Sequence, residues 1–240
     1  MLAFIYALLS SFFISLITLI VIPFFEKIKK YLIYIISFAT GIFIGAFFLN
    51  LLPNLYKNSQ NAEVISLIIL ISFLSFFLIE NFLHFHHHGE EHHRHHLGVL
   101  NLIGDFFHNF VDGLSIAAAF KVSPQFGLII TLAIAAHEIP QEFGDFSILL
   151  YSGFDKLKAL VLNFLVGLSS VLGVIVGYFL DVPVYYLLAI VAGSFLYIGA
   201  SDLIPLLAQV NKDKKIKVLI LFFLGLIFIK LIHLLIESIL

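Results

Sequence analysis

Cysteine is absent from the chain, so neither a disulfide framework nor a thiolate metal site is open to it. Charge is scarce: 12% of the residues are Asp, Glu, Lys or Arg, against 61% that are hydrophobic. A soluble domain is usually about half apolar and about a quarter charged, so a water-soluble globule is excluded. The net charge of −2 is spread too thinly to attract nucleic acid. The first apolar run, Leu2 to Pro23, lacks a basic leading segment and a small-residue cleavage site. It is therefore expected to be a retained helix rather than a signal peptide. No G-x-x-x-x-G-K-[ST] sequence occurs, so ATP is not the expected energy source and no organic cofactor is expected.

What the chain has instead is apolar runs of about 20 residues, repeated along its whole length. They predict an all-α polytopic membrane protein of eight transmembrane helices. The spans are 2–24, 31–53, 62–83, 98–120, 125–151, 157–180, 184–209 and 216–239, and one transmembrane domain fills 1–240. Loops after spans 1, 3, 5 and 7 hold ten cationic residues: Lys27, Lys29, Lys30, Arg94, Lys156, Lys158, Lys212, Lys214, Lys215 and Lys217. Loops after spans 2, 4 and 6 hold two, Lys57 and Lys121. Cationic loops stay on the cytoplasmic side, so the odd loops are expected inside and both termini outside, in the cell membrane. Abundant Phe, Ile and Leu read as lipid-facing surface, on which a homodimer could form.

Two spans resemble each other. Span 2 reads GIFIGAFFLNLLP (Gly41 to Pro53) and span 7 reads GSFLYIGASDLIP (Gly193 to Pro205), with Asn50 and Asp202 at matching positions. In the predicted orientation these helices run in opposite directions. The pattern implies an inverted repeat of helices 1–3 and 6–8 around helices 4–5, an arrangement that recurs in secondary transporters with substrate at the midplane.

Spans 4 and 5 carry the polar residues. Asp105, His108, Asn109 and Asp112 fall at i, i+3, i+4 and i+7, one face of a helix. In HEIPQEFGD, His137, Gln141 and Asp145 are spaced by four, with Glu138 and Glu142 one step around. Pro140 cannot donate to the Ala136 carbonyl, which frees one more oxygen beside the cluster. Ionisable side chains at membrane depth are costly unless something binds there. His nitrogen with Asp and Glu oxygen suits Zn²⁺, Fe²⁺ or Mn²⁺. Asp112 and Glu138 together would neutralise one such ion. Singly, such groups also serve as hydrogen-bond partners between helices, and His–carboxylate chains also relay protons. A zinc protease would need a second His four residues after His137, where Gln141 stands, so that reading is disfavoured.

The tract HFHHHGEEHHRHH lies in a loop at 84–97, expected in the cytoplasm. It holds His84, His86, His87, His88, His92, His93, His95 and His96, eight of the chain's eleven histidines. Such tracts bind metal. Capture, buffering or sensing of metal is the expected role, weakening below about pH 6 as imidazole protonates.

At HNFVDGLSIAAAF and HEIPQEFGD the chain resembles the ZIP (Zrt/Irt-like) family of divalent-metal transporters, in the branch with HNFxDG and HEIPHExGD. LNLIGD, AGSFLYIGASDLIP and the His-rich loop extend the likeness over nearly the whole chain. The resemblance implies eight helices, external termini and a two-metal site between spans 4 and 5. It implies a first site from His108, Asp112, His137 and residue 141, and a second from Asn109, Glu138 and Asp112. Asp105, Glu142, Asp145, Asn50 and Asp202 are candidate accessory residues. Gln141 departs from the branch's usual His, which is expected to loosen the site or broaden it toward Fe²⁺ and Mn²⁺. The expectation is therefore a non-enzymatic transporter importing Zn²⁺, the alternative being a membrane metal sensor that binds without transport.

Overall fold

The computed structural model describes residues 2–58, 61–85 and 94–239; at 21, 29, 58, 79–85, 94–97, 202 and 237–239 the description is of backbone alone. Eight long helical segments account for these residues. They are α1 (Leu2–Ile28), α2 (Leu32–Lys57), α3 (Ala62–Phe85), α4 (Arg94–Val122), α5 (Pro124–Tyr151), α6 (Lys156–Phe179), α7 (Val184–Ala208) and α8 (Lys212–Ile239). Among the described residues α1, α2, α6, α7 and α8 are long and apolar enough to cross a membrane, and Ala62–Leu78 is a shorter apolar stretch. The histidines and carboxylates of α4 and α5 lower their hydropathy, yet these helices are 29 and 28 residues long. At 1.5 Å per residue, either exceeds a hydrocarbon core of about 30 Å. The chain is an all-α polytopic membrane protein.

Local signals set the helix ends. Ser123 caps α5, its Oγ accepting from the Phe126 amide at 3.1 Å, with Pro124 in the first turn. Asp155 caps α6 by accepting from the Lys158 amide at 2.9 Å. Between them Gly153 takes φ +87°, a left-handed conformation in which a β-carbon is disfavoured. Pro140 lies inside α5, and the helix continues through it to Tyr151.

The packing repeats itself about the centre. α2 packs on α8, and α7 packs on α3; α5 lies against α1 and α2, and α4 against α6 and α7. Gly41 meets the Phe222 carbonyl and Gly225, while Gly193 meets the Ile69 carbonyl and Ser72. Gly193 is 152 residues after Gly41, and Phe222 and Gly225 are 153 after Ile69 and Ser72, so the two contacts are the same contact in each half. Helix widening recurs as well: Phe47–Leu51 in α2 and Ile198–Leu203 in α7 each form a π-helical turn just before Pro53 and Pro205. An extra residue inserted ahead of a proline lets the helix continue past the missing donor. Helices 1–3 and 6–8 are thus an inverted repeat flanking α4 and α5.

The core is small-residue and aromatic. Ala117, Ala118, Ala119, Ala133, Ala189 and Ala192 are fully buried. They let helices approach closely, which is how membrane helices gain dispersion contacts. Phe43 of α2 stacks on Phe195 of α7 with ring centroids 4.3 Å apart. This pair roofs the polar face of α5.

Candidate metal centre

Four side chains from α4 and α5 converge. His108 and Asp112 are one turn apart on α4; His137 and Glu138 are neighbours on α5. One ligand atom from each lies within 4.8 Å of all the others. His137 Nε2 is 3.2 Å from Asp112 Oδ2 and 3.5 Å from Glu138 Oε1. His108 Nε2 is 3.9 Å from Asp112 Oδ2, 3.7 Å from Glu138 Oε1 and 3.2 Å from His137 Nε2. A tetrahedral ion with ligand bonds of 2.0–2.1 Å would separate its ligand atoms by about 3.3 Å. Five of the six edges are 3.2–3.9 Å, within about 0.6 Å of that spacing, and the sixth, between the two carboxylates, is at most 4.8 Å.

The donor set is prepared for a cation. Asp112, His137 and Glu138 are each only 2% exposed, yet Asp112 Oδ2 and Glu138 Oε1 have no hydrogen-bond partner. A buried polar oxygen left unpaired is costly, so these two atoms are suited to a positively charged partner. His137 Nδ1 lies 3.3 Å from the Ala133 carbonyl. A carbonyl only accepts, so Nδ1 carries the proton and Nε2 presents its lone pair to the cage. The Phe43 ring, 4.7 Å from the imidazole, holds it edge-on.

The other polar residues surround this cage. Asp105 is buried; its Oδ1 accepts from Asn109 Nδ2 at 2.7 Å and from Gln141 Nε2 at 3.3 Å. Asn109 and Gln141 thus engage Asp105, while Glu138 supplies the fourth cage atom. Asp145 Oδ1 accepts from Asn101 Nδ2 at 2.9 Å. Glu142 is held from the other side: Thr18 Oγ1 donates to Oε1 at 2.5 Å and Asn163 Nδ2 to Oε2 at 2.9 Å. Asn50, in the π-turn of α2, is buried with neither amide atom paired. Of the remaining candidates, His86, His87, His88, His92 and His93 lie outside the described residues, as do the side chains of His84, His95, His96 and Asp202. Asn101, Thr18, Asn163 and Phe43 were not singled out from sequence. Asn101 and Asn163, amides within apolar helices, were the available signal; Thr18 and Phe43 carry none.

A helical membrane protein with a buried His₂–carboxylate₂ cage belongs to the class that handles divalent cations inside the bilayer. The family profile described as ZIP Zinc transporter matches residues 93–233. The chain is 31% identical over 222 residues to "Zinc transporter ZIP13" of Pongo abelii, covering 85% of this chain and 67% of that one. It is 41% identical over 114 residues to the Mus musculus ZIP13, covering 45% of this chain and 32% of the relative. With "Zinc transporter ZIP4" of Mus musculus it shares 37% over 121 residues, 49% of this chain and 18% of the relative. The matched segments thus span about a third or less of the two mouse proteins. The chain belongs to the ZIP zinc transporter family. That is a family of transporters and not of enzymes, which disposes of the protease reading of HEIPQ.

Proposed function

We propose that this chain imports Zn²⁺ into the cytoplasm, with His108, Asp112, His137 and Glu138 holding the ion at mid-membrane. The observation that carries the reading is the pair of buried, unpartnered carboxylate oxygens set against two imidazole nitrogens at tetrahedral spacing. Two carboxylates cancel the ion's charge, and the imidazoles favour Zn²⁺ over Mg²⁺ or Ca²⁺. Asn109 and Gln141, one turn away, would offer neutral oxygens to a second ion or admit Fe²⁺ and Mn²⁺. The ten-to-two loop asymmetry supports external termini and insertion in the cell membrane. A doubly charged ion then enters down the membrane potential, gaining about 4.6 kcal/mol per 100 mV.

Alternating access would come from sliding one helix group past another. α1, α5 and α6 are tied by Thr18, Glu142 and Asn163, and by Ser11 Oγ to Ser170 Oγ at 2.8 Å. α4 joins them through the Gly113–Gly173 contact with α6. α2 with α8 and α7 with α3 make the complementary group. Between the groups lie alanines and the Phe43–His137 contact, with few polar ties to break. The His-rich loop, at 84–97, would receive metal on the cytoplasmic side, and the exposed apolar face of α8 would meet lipid or a second copy.

Uptake of radiolabelled zinc into proteoliposomes tests this. His137→Ala and Asp112→Ala should each lower uptake at least tenfold against wild type. Zinc binding without uptake by the wild type would instead make the protein a membrane metal sensor.

A further inference from the structure

One and two turns from the cage, α4 and α5 form a second, separate arrangement. α4 supplies Asn101 and Asp105, four residues apart; α5 supplies Gln141 and Asp145, also four apart. The helices pair these reciprocally: Gln141 Nε2 donates to Asp105 Oδ1 at 3.3 Å, and Asn101 Nδ2 donates to Asp145 Oδ1 at 2.9 Å. Each carboxylate therefore has one oxygen satisfied across the interface and one left over. Asp105 Oδ2 and Asp145 Oδ2 are both buried and both without a partner, and Asp105 as a whole is only 6% exposed. The two carboxylates are close enough to interact electrostatically. Glu142 makes its hydrogen bonds elsewhere, its two oxygens accepting from Thr18 and Asn163.

A set of helix-to-helix amide staples explains the satisfied oxygens. It does not explain two unpaired carboxyl oxygens buried in one low-dielectric interface with no cation among the described side chains around them. That combination resolves if a doubly charged ion bridges them. We infer that Asp105 Oδ2 and Asp145 Oδ2 form an oxygen-only transit site for a divalent cation, distinct from the histidine cage. The inference rests on the transport reading for its role, not for its existence. Asp105 precedes His108 by three residues and Asp112 by seven, so it lies about 5 to 10 Å along α4 from the cage's ligands on that helix. In the proposed orientation this is the cytoplasmic side. An ion leaving two imidazoles for carboxylate and amide oxygen exchanges tight ligands for looser ones, which suits release.

The test is metal binding by the purified full chain in detergent, with Mn²⁺ as probe, counted by loss of the free-ion electron paramagnetic resonance signal. Mn²⁺ accepts oxygen ligands as readily as nitrogen. Wild type should bind two ions per chain. The isosteric pair Asp105→Asn with Asp145→Asn should bind one, with zinc affinity at the cage changed less than threefold. Asp112→Asn should lose the tight site and keep the weaker one. Should the double variant misfold, Asp145→Asn alone, which retains an amide partner for Asn101, should weaken the second ion at least tenfold. Two ions bound to the double variant with wild-type affinities would overturn the site. Two ions bound by a wild type that shows no zinc uptake would defeat the transport reading and uphold this one. A single ion bound by a wild type that does transport would defeat this one alone.

Discussion

Replacing Asp112 by Asn should move the stability of the metal-free protein and its response to zinc in opposite directions. Without an ion, Asp112 Oδ2 and Glu138 Oε1 sit within 4.8 Å of each other with no hydrogen-bond donor. Two full negative charges at that distance would repel by about 3.5 kcal/mol at an effective dielectric of 20, a cost that a proton held by the pair lowers. An amide of the same shape removes the repulsion and can turn its NH₂ toward Glu138. The metal-free variant should therefore be more stable by about 1–3 kcal/mol, raising its melting temperature by about 3–10 °C for a chain of this size. Zinc binding should suffer, since one of two anionic ligands is gone; a loss of about 100-fold in affinity is expected. At zinc 100 times the wild-type dissociation constant, ligand linkage stabilises wild type by about 2.7 kcal/mol and the variant by about 0.4 kcal/mol. Melting curves in detergent with chelator, then with zinc, read both quantities. A variant that melts lower than wild type with chelator, yet shows the full zinc-induced rise, would refute the view that this pair of oxygens awaits a cation.

Three other changes separate the parts of the structure. A β-carbon on Gly113 would fall 1.8 Å from the Ser170 carbonyl and 2.9 Å from Gly173 Cα, so Gly113→Ala must push α4 off α6. It should cost about 2–3 kcal/mol and weaken zinc binding at the adjacent Asp112, whereas Gly144→Ala, with nothing within 4 Å, should be neutral or slightly stabilising; equal melting temperatures for the two would contradict the packing. Asn163→Ala removes the donor to Glu142 Oε2 and should cost about 2–3 kcal/mol by leaving that oxygen bare; combining it with Glu142→Gln should recover part of the loss, read as a double-mutant cycle of melting temperatures. Gln141→His should raise the preference for Zn²⁺ over Mn²⁺ about tenfold in competitive uptake. An unchanged preference would show that position 141 does not tune selectivity.

Most of the fold was legible because the bilayer permits so little. Backbone groups in hydrocarbon must pair within their own segment, so each apolar run of about 20 residues had to be a helix. The Gly41-to-Pro53 and Gly193-to-Pro205 correspondence exposed the repeat, since each glycine seats against a carbonyl of the helix that packs on it. Helix ends were less legible. α4 is already helical at Arg94, ahead of the predicted 98, and α2 runs to Lys57, past the predicted 53. Hydropathy marks where lipid ends, whereas backbone hydrogen bonding continues into the polar flanks. The π-turns were hidden too: proline at 53 and 205 announced an interruption, but not that an inserted residue would carry the helix across it.

The metal cage was legible in its helices and only partly in its partners. Spacing put His108 and Asp112 on one face of α4, and His137 with Gln141 on one face of α5. The structure draws the cage's fourth atom from Glu138 and turns Gln141 to Asp105. Neighbours at 137 and 138 differ by about 100° around the axis, which spacing treats as different faces. A glutamate has three rotatable bonds, enough to swing its carboxylate back to the face of His137, and the crossing of α4 over α5 decides which rotamer meets a partner. The same crossing decides that Asp105 faces Gln141 while Asp145 faces Asn101, a register between antiparallel helices that no periodicity within either helix encodes. Two unpaired oxygens appear only after that register is known. Periodicity within each helix thus finds the metal-binding face, and helix packing decides how many ions that face can hold.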